Sequence, residues 1–332
     1  MNNVKLEQKF FIQKKPDNTF LDTLEVTSHF YPTKQYCKAI RKFNTNSKIF
    51  KIVDAITSKK LQKTYFKTYH CNNVLLQENN TFKGSLCRKR WCTECNRIKS
   101  AELINGYKEP LLNLKNIYFV TLTIPNVKKH ELRKANVLMI KAFQNIKNNI
   151  KTNYKTILSG VRKLEITYND ELNTYHPHFH IILKDKNSAI LLRNLWLKHF
   201  KYADIKAQDI ALIKTENDNS FIELFKYASK DVNSKGELYS GDVLNTIYQS
   251  INSLRIFQPF GKIKKVKDAE KKVDKCIIEN VAPDNEIWIY ENNKKDWLNS
   301  KSELLVNTLE IEKNILLKNE LLLSELQDEK TN

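Results

Sequence analysis

Alternating apolar and polar positions mark two neighbouring strands near the middle of the chain. Residues 160–168 set Leu164, Ile166 and Tyr168 on one face and Lys163, Glu165 and Thr167 on the other. In residues 175–183 the same alternation puts His178 and His180 on one side, about 7 Å apart, with Phe179 and Ile181 behind them. Residues 169–173 read as the turn between the strands. A hairpin closing near Tyr168 and Tyr175 or His176 is expected to place Glu165 opposite Phe179 or His180, and one of those two registers brings its carboxylate to the histidine face.

The flanking pattern extends this hairpin into a sheet. Residues 116–125 form a β-branched and aromatic run stopped by Pro125, expected to be a buried strand. Residues 128–150 repeat apolar side chains at helical spacing through Leu132, Ala135, Leu138, Met139, Ala142, Phe143 and Ile146. A second helix is expected over 188–200 and a further strand over 209–214. The order β-α-β-β-α-β is the split βαβ pattern of a ferredoxin-like or RRM-like antiparallel sheet, an α+β fold.

Outside this unit the pattern is weaker. Residues 101–114 read as a helix, and residues 286–290 as a strand-like run around Trp288. The tail over 300–329 reads as an amphipathic helix with Leu305, Leu309, Leu316 and Leu323; Glu312 and Asn319 interrupt its stripe, favouring docking on the body or short self-association. The expected layout is a basic N-terminal region of no assigned role (1–69), a Cys-rich module (70–112), the sheet domain (113–235), a basic extension (236–298) and the helical tail (299–332).

Charge narrows the partner. The 332 residues carry a formal net charge of +19 and a pI near 9.4, and polyanions gain affinity for such a surface by releasing counterions. The excess is spread along the chain and interleaved with 14 Tyr and 16 Phe, which can stack on unpaired bases. Nucleic acid is therefore the expected partner. Neither a signal-peptide core nor a membrane-length apolar run is present, so a cytoplasmic protein with no membrane partner is expected.

Three groups of residues carry candidate chemistry. Two imidazoles and a carboxylate, His178, His180 and Glu165, describe a catalytic metal site with open positions, although a lone His-x-His also arises from hydrogen-bonded strand histidines. Cys71, Cys87, Cys92 and Cys95 have the spacing of a tetrahedral thiolate Zn²⁺ site, with His70 an alternative to Cys71 and a redox Cys-x-x-Cys an alternative to zinc. Arg88, Lys89 and Arg90 would lie on that knuckle, where they could touch DNA. Residues 219–231 read as a short helix with Glu223, Tyr227 and Lys230 on one face and Phe221, Leu224, Phe225 and Ala228 packed behind. A capping box at Ser220 and Glu223 gives that segment a purely structural reading. In its chemical reading, Tyr227 is a phosphodiester nucleophile, favoured as phenolate by Lys230 and aided by a metal, with Glu223 as general base. The chain contains no Gly-rich phosphate loop, so ATP chemistry is not expected.

The Thr121-Leu122-Thr123 strand, the His178-Phe179-His180 motif downstream of it and the Tyr-x-x-Lys of Tyr227 to Lys230 resemble, in chain order, the three ordered motifs of the HUH endonucleases. Together with the Glu223-to-Tyr227 spacing, the phrase His176-Pro177-His178-Phe179-His180 and the Cys-rich segment, they are similar to the rolling-circle replication initiators (Rep proteins) of small plasmids over residues 70–235. The resemblance implies an HUH domain that nicks one strand of the plasmid origin, supercoiled or single-stranded. Tyr227 would retain a 5′-phosphotyrosine and free a 3′-OH for host DNA polymerase, with a host helicase as further partner. It also implies Mg²⁺ or Mn²⁺ on the histidines, Glu223 as activator of the terminating water, His176 outside the metal shell, and DNA contacts including Lys226. Glu165 carries over less directly, since the third ligand varies among such enzymes. A mobilisation relaxase, a single-tyrosine transposase, and a zinc-stapled regulator without chemistry remain the alternatives.

Overall fold

The computed structural model describes residues 33–79, 81–114, 116–213, 224–225, 230–233, 236–266 and 286–312. Two antiparallel sheets organise them. The larger has strand order β6-β3-β5-β4-β7, built from β3 (Ile117–Thr123), β4 (Gly160–Asn169), β5 (Thr174–Lys184), β6 (Asp209–Leu212) and β7 (Phe257–Phe260). Helices α4 (Leu132–Asn153) and α5 (Lys186–His199) complete the expected β-α-β-β-α-β unit. The fold is thus α+β with the split βαβ order. Helix α4 starts at Leu132, the first residue of the apolar repeat, rather than at 128; the Lys128 N–H is bonded to the Glu131 carboxylate at 3.0 Å in the preceding turn.

The hairpin closes at one of the two expected positions, but the residue facing Glu165 departs from the expectation. Tyr168 pairs with Tyr175, and Glu165 lies opposite His178 rather than Phe179 or His180. Three steps back from Tyr168 match three steps forward from Tyr175, so the carboxylate keeps the histidine face. Beta pairing also brings Lys163 opposite His180, and on the other side Thr121 opposite His180 and Thr123 opposite His178.

Period-two alternation separates two cores. One sheet face buries Val120, Leu122, Leu164, Ile166, Phe179 and Ile181 against Met139 and Phe143 of α4 and Leu192 and Trp196 of α5. The opposite face joins Ile117, Phe119, Val161 and Ile182 to Leu103 and Leu111 of α3 (Thr93–Leu112) and to Leu224 and Phe225. The polar residues Lys163, Glu165, His178 and His180 continue that second face.

The smaller sheet has order β2-β1-β8-β9, with β1 Val74–Glu78, β2 Thr81–Gly84, β8 Glu286–Glu291 and β9 Asp296–Leu298. It packs Leu75, Trp288, Tyr290 and Trp297 on Ala39 of helix α1 (Lys34–Ala55). Helix α2 (Lys59–Phe66) follows, capped by the Ser58 hydroxyl, then a 3-10 turn, Lys67–His70. Helix α6 (Gly241–Ser250) docks on α1 through Gly241, where a Cβ would sit 1.9 Å from the Lys51 carbonyl. Strands β7, β8 and β9 thus come from the stretch read as a basic extension, and α1 and α2 from the region with no assigned elements. The helical tail was expected over 300–329, but residues 301–307 are turn and loop, with Leu304 bridged to Leu298 and Leu305 packed on the smaller sheet, and helix begins only at Thr308; residues beyond 312 lie outside the described ones.

Candidate metal centres

Strand β5 turns both imidazoles of His178 and His180 to one side, and their Nε2 atoms stand 3.1 Å apart. Two ligands at about 2.1 Å from one ion lie about 3.0 Å apart at an octahedral right angle and about 3.4 Å apart at the tetrahedral angle. The observed separation is nearer the octahedral value. His178 Nδ1 lies 3.1 Å from the His176 carbonyl, so its N–H donates there and the Nε2 lone pair faces the site. His176 itself is tied by Nε2 to the Thr123 hydroxyl and stacks on His178 with centroids 5.3 Å apart. It supports the site from outside.

Glu165 supplies the negative charge. Its Oε2 lies 3.7 Å from His180 Nε2, and one ligand atom from each of Glu165, His178 and His180 falls within 4.8 Å of the others. Lys163 donates to Glu165 Oε2 at 2.9 Å, with both side chains almost wholly buried. Glu165 Oε1 is buried without a hydrogen-bond partner among the described residues, and the exposed Lys230 ammonium lies 3.4 Å from it. Burial alone would raise the Glu165 carboxyl, but Lys163 and the two imidazoles outweigh it and bring the pKa down to about 2. Burial lowers His178 and His180 to about 4. At neutral pH the cluster therefore offers two neutral imidazoles and one carboxylate, a donor set that fits a divalent cation with open positions.

The second centre lies where the 3-10 turn, the loop after β2 and the start of α3 meet. Cys71 and Cys95 sulfurs are 3.7 Å apart, Cys87 and Cys95 3.8 Å, and Cys92 and Cys71 3.6 Å. Four thiolates at about 2.3 Å from a tetrahedral zinc have edges of about 3.8 Å, so the cage has the size of a zinc site; all four thiols are free. Backbone N–H groups of Cys87 and Arg88 donate to Cys71 and Cys95 sulfur at 3.4 and 3.2 Å, which favours sulfur carrying negative charge. The shared hydrogen bonds within the group lower the Cys87 and Cys92 thiols and, with burial, raise those of Cys71 and Cys95, so the sulfurs share protons when no ion is held. His70 is exposed, and the four-ligand group is Cys71, Cys87, Cys92 and Cys95.

The remaining expected site residues divide. Arg88 and Lys89 are exposed on the knuckle. Arg90 instead donates to the Ile251 and Leu254 carbonyls at 2.5 and 2.6 Å, closing the C-terminal end of α6. Glu223, Tyr227 and Lys226 lie outside the described residues. Leu224 and Phe225 are buried in the same core as Val161 and Ile182, as the packing face of that segment requires. Sequence reading assigned no role to Lys163, although its place beside Glu165 on the polar face of β4 was the available signal.

An antiparallel split βαβ sheet with two imidazoles and a carboxylate on one face, and a four-thiol cage beside it, defines an α+β protein with two potential metal centres. Comparison with known proteins narrows the class. The chain belongs to the plasmid replication protein (Rep) family, whose model matches residues 77–300. The protein rep of Staphylococcus aureus is 28% identical over 186 residues, covering 48% of this chain and 80% of that protein. Those of Bacillus amyloliquefaciens and a Bacillus species are 26% and 28% identical over 221 and 199 residues, covering 56% and 50% of this chain and 64% of each relative. No solved structure matches the chain. No helix among the described residues is long and apolar enough to cross a membrane.

Proposed function

We propose that the protein initiates rolling-circle replication by nicking one strand of the plasmid double-strand origin with Tyr227. The observation that carries the reading is the convergence of His178 Nε2 and His180 Nε2, 3.1 Å apart, beside the buried carboxylate of Glu165. A Mg²⁺ or Mn²⁺ ion held by these three residues would polarise the scissile phosphate and offset its developing charge.

The chain's own groups perform the transfer. The Tyr227 phenolic oxygen attacks phosphorus, the bond from phosphorus to the 3′ oxygen breaks, and that oxygen takes up a proton. The products are a 5′-phosphotyrosine and a free 3′-OH, from which host polymerase extends while a host helicase opens the duplex. A phenol with a pKa near 10 needs a nearby cation to act as phenolate at neutral pH. Lys230, at the edge of the centre against Glu165, is assigned that role. Leu224 and Phe225, packed in the core on the histidine side of the sheet, and Lys230 beside Glu165 support the reading. Glu223 would activate the water or hydroxyl of the second transfer that ends a round. Residues 113–235 carry this chemistry, a Zn²⁺ ion held by the four cysteines would stabilise the preceding module, and Arg88, Lys89 and Lys226 contact DNA.

The test is incubation of the protein with supercoiled plasmid carrying its own flanking DNA. Open circles that form only with Mg²⁺ or Mn²⁺, and are lost in Tyr227→Phe and in His178→Ala, are expected. Origin binding with no open circles in any protein would replace this reading by a regulator without chemistry.

A further inference from the structure

We propose that the outer surface of α1, α2 and the 3-10 turn after them is a binding platform for unpaired DNA, with bases stacking on Phe50 and Phe66. It rests on the reading of the protein as one that opens and acts on origin DNA, and it assigns the exposed strand a place on residues other than those of the two-histidine centre.

The platform is a contiguous group of aromatic rings. Phe66 stacks on Tyr69 with centroids 5.5 Å apart and planes 19° apart. Phe50 meets Phe66 at 6.0 Å and Tyr69 at 5.6 Å, both edge to face, and Tyr69 meets the exposed His70 at 5.7 Å. Phe50 and Phe66 remain 38% and 40% exposed. A single exposed ring is ordinary on a protein surface, but joined rings need a reason.

Support beneath the rings is rigid. Tyr65, one residue before Phe66, is fully buried, donates from its hydroxyl to Asn245 at 2.9 Å and packs on Trp91 at 4.6 Å. The Trp91 indole N–H donates to buried Thr68 at 2.7 Å. Under Tyr69, the buried Lys42 ammonium lies 5.3 Å from the ring centroid and donates to the Tyr69 carbonyl. Rings fixed in this way lose little entropy when a base is added.

Charge identifies the occupant. Lys59, Lys60, Lys63 and Lys67 are exposed around the rings, and between residues 34 and 70 Asp54 is the only acidic side chain. On α2 the helical spacing puts Lys59 and Lys63 on the side of Phe66. Flat apolar rings inside a field of ammonium groups match the stacked bases and phosphates of a single strand. A duplex keeps its base faces covered.

Binding is measured by anisotropy of labelled oligo(dT) and of a duplex of equal length, at fixed salt and without added divalent cation, in a Tyr227→Phe background. Adding Phe50→Ala and Phe66→Ala together is expected to weaken oligo(dT) binding at least about tenfold and duplex binding far less. Lys59→Gln with Lys63→Gln is expected to reduce the salt slope for the single strand by about 1.4. Phe66→Trp, which keeps the ring, is expected to bind oligo(dT) and to have its added emission quenched on binding. Unchanged oligo(dT) affinity in the double alanine variant at unchanged melting temperature, or equal losses on duplex and single strand, would overturn the proposal. So would binding to anionic vesicles that depends on the rings while oligo(dT) binding does not. If Tyr227→Phe still nicks plasmid, the nucleophile assignment falls and this comparison stands.

Discussion

Replacing Lys163 by methionine, Glu165 by glutamine, and both together tests the charge balance of the two-histidine centre. The two groups are 2.9 Å apart with side chains 3% and 0% exposed. At an effective dielectric near 20, unit charges at that distance attract by about 6 kcal/mol. Desolvation costs several kcal/mol per ion, so the intact pair is close to neutral for stability, whereas removing one partner strands the other and costs about 3–5 kcal/mol. Lys230 does not substitute for Lys163, because it is half exposed and its charge is screened. Each single variant is therefore expected to lose about 3–5 kcal/mol, and the double variant far less than their sum, a coupling of about 3 kcal/mol or more. Urea unfolding at pH 7.5, after dialysis to remove loosely held divalent cations, measures all four corners. Additive single losses, or a neutral Lys163→Met, would refute the reasoning.

Other consequences follow from the same geometry. The protein expressed with zinc available is expected to carry about one equivalent per chain, lost in Cys92→Ser with a marked fall in melting temperature, since structural zinc can contribute about 10–16 kcal/mol to folding; metal analysis giving none would contradict the thiolate cage. In the protein without divalent cation, stability is expected to fall as pH drops from about 6.5 to about 4. His178 takes a proton at about 6.5 when unfolded but at about 4 when buried, so the unfolded state binds more protons across that window, at a cost reaching about 3 kcal/mol. Flat stability in urea titrations over that range would contradict it. Arg90→Ala is expected to lose about 3 kcal/mol of stability through its two carbonyl partners while leaving the DNA affinity of the folded protein unchanged; reduced DNA affinity at an unaltered melting temperature would restore Arg90 as a DNA contact.

The split βαβ sheet was legible because its signals are local. Alternation in β4 and β5 and the helical spacing in α4 each fall within a single window of sequence. Register was less legible, since a polar turn such as residues 169–173 permits neighbouring closures, and only the observed Tyr168–Tyr175 pairing sets Glu165 opposite His178. Non-local pairing was not legible at all. Strand β1 finds its partner β8 some two hundred residues away, and β7 is four residues long with Pro259 inside it, a residue tolerated because β7 is the outermost strand beside β4. Helix α1 was hidden because several of its inward positions are polar: Lys42, Thr45, Asn46 and Lys48 are all buried. Lys48 neutralises Asp231 at 2.5 Å, a contact no periodicity announces. Cysteine spacing, by contrast, anticipated the observed four-thiol group.

The central claim is a covalent one, and peptide mapping addresses it most directly. The protein is incubated with Mn²⁺ and a single-stranded oligonucleotide spanning its nick site, quenched in SDS, digested with protease and nuclease, and analysed by tandem mass spectrometry. A phosphodeoxynucleotide on Tyr227, absent when Tyr227 is phenylalanine and absent without the cation, is the result this account requires. An adduct mapped to another tyrosine, or cleavage that leaves no protein-linked phosphate, would contradict it.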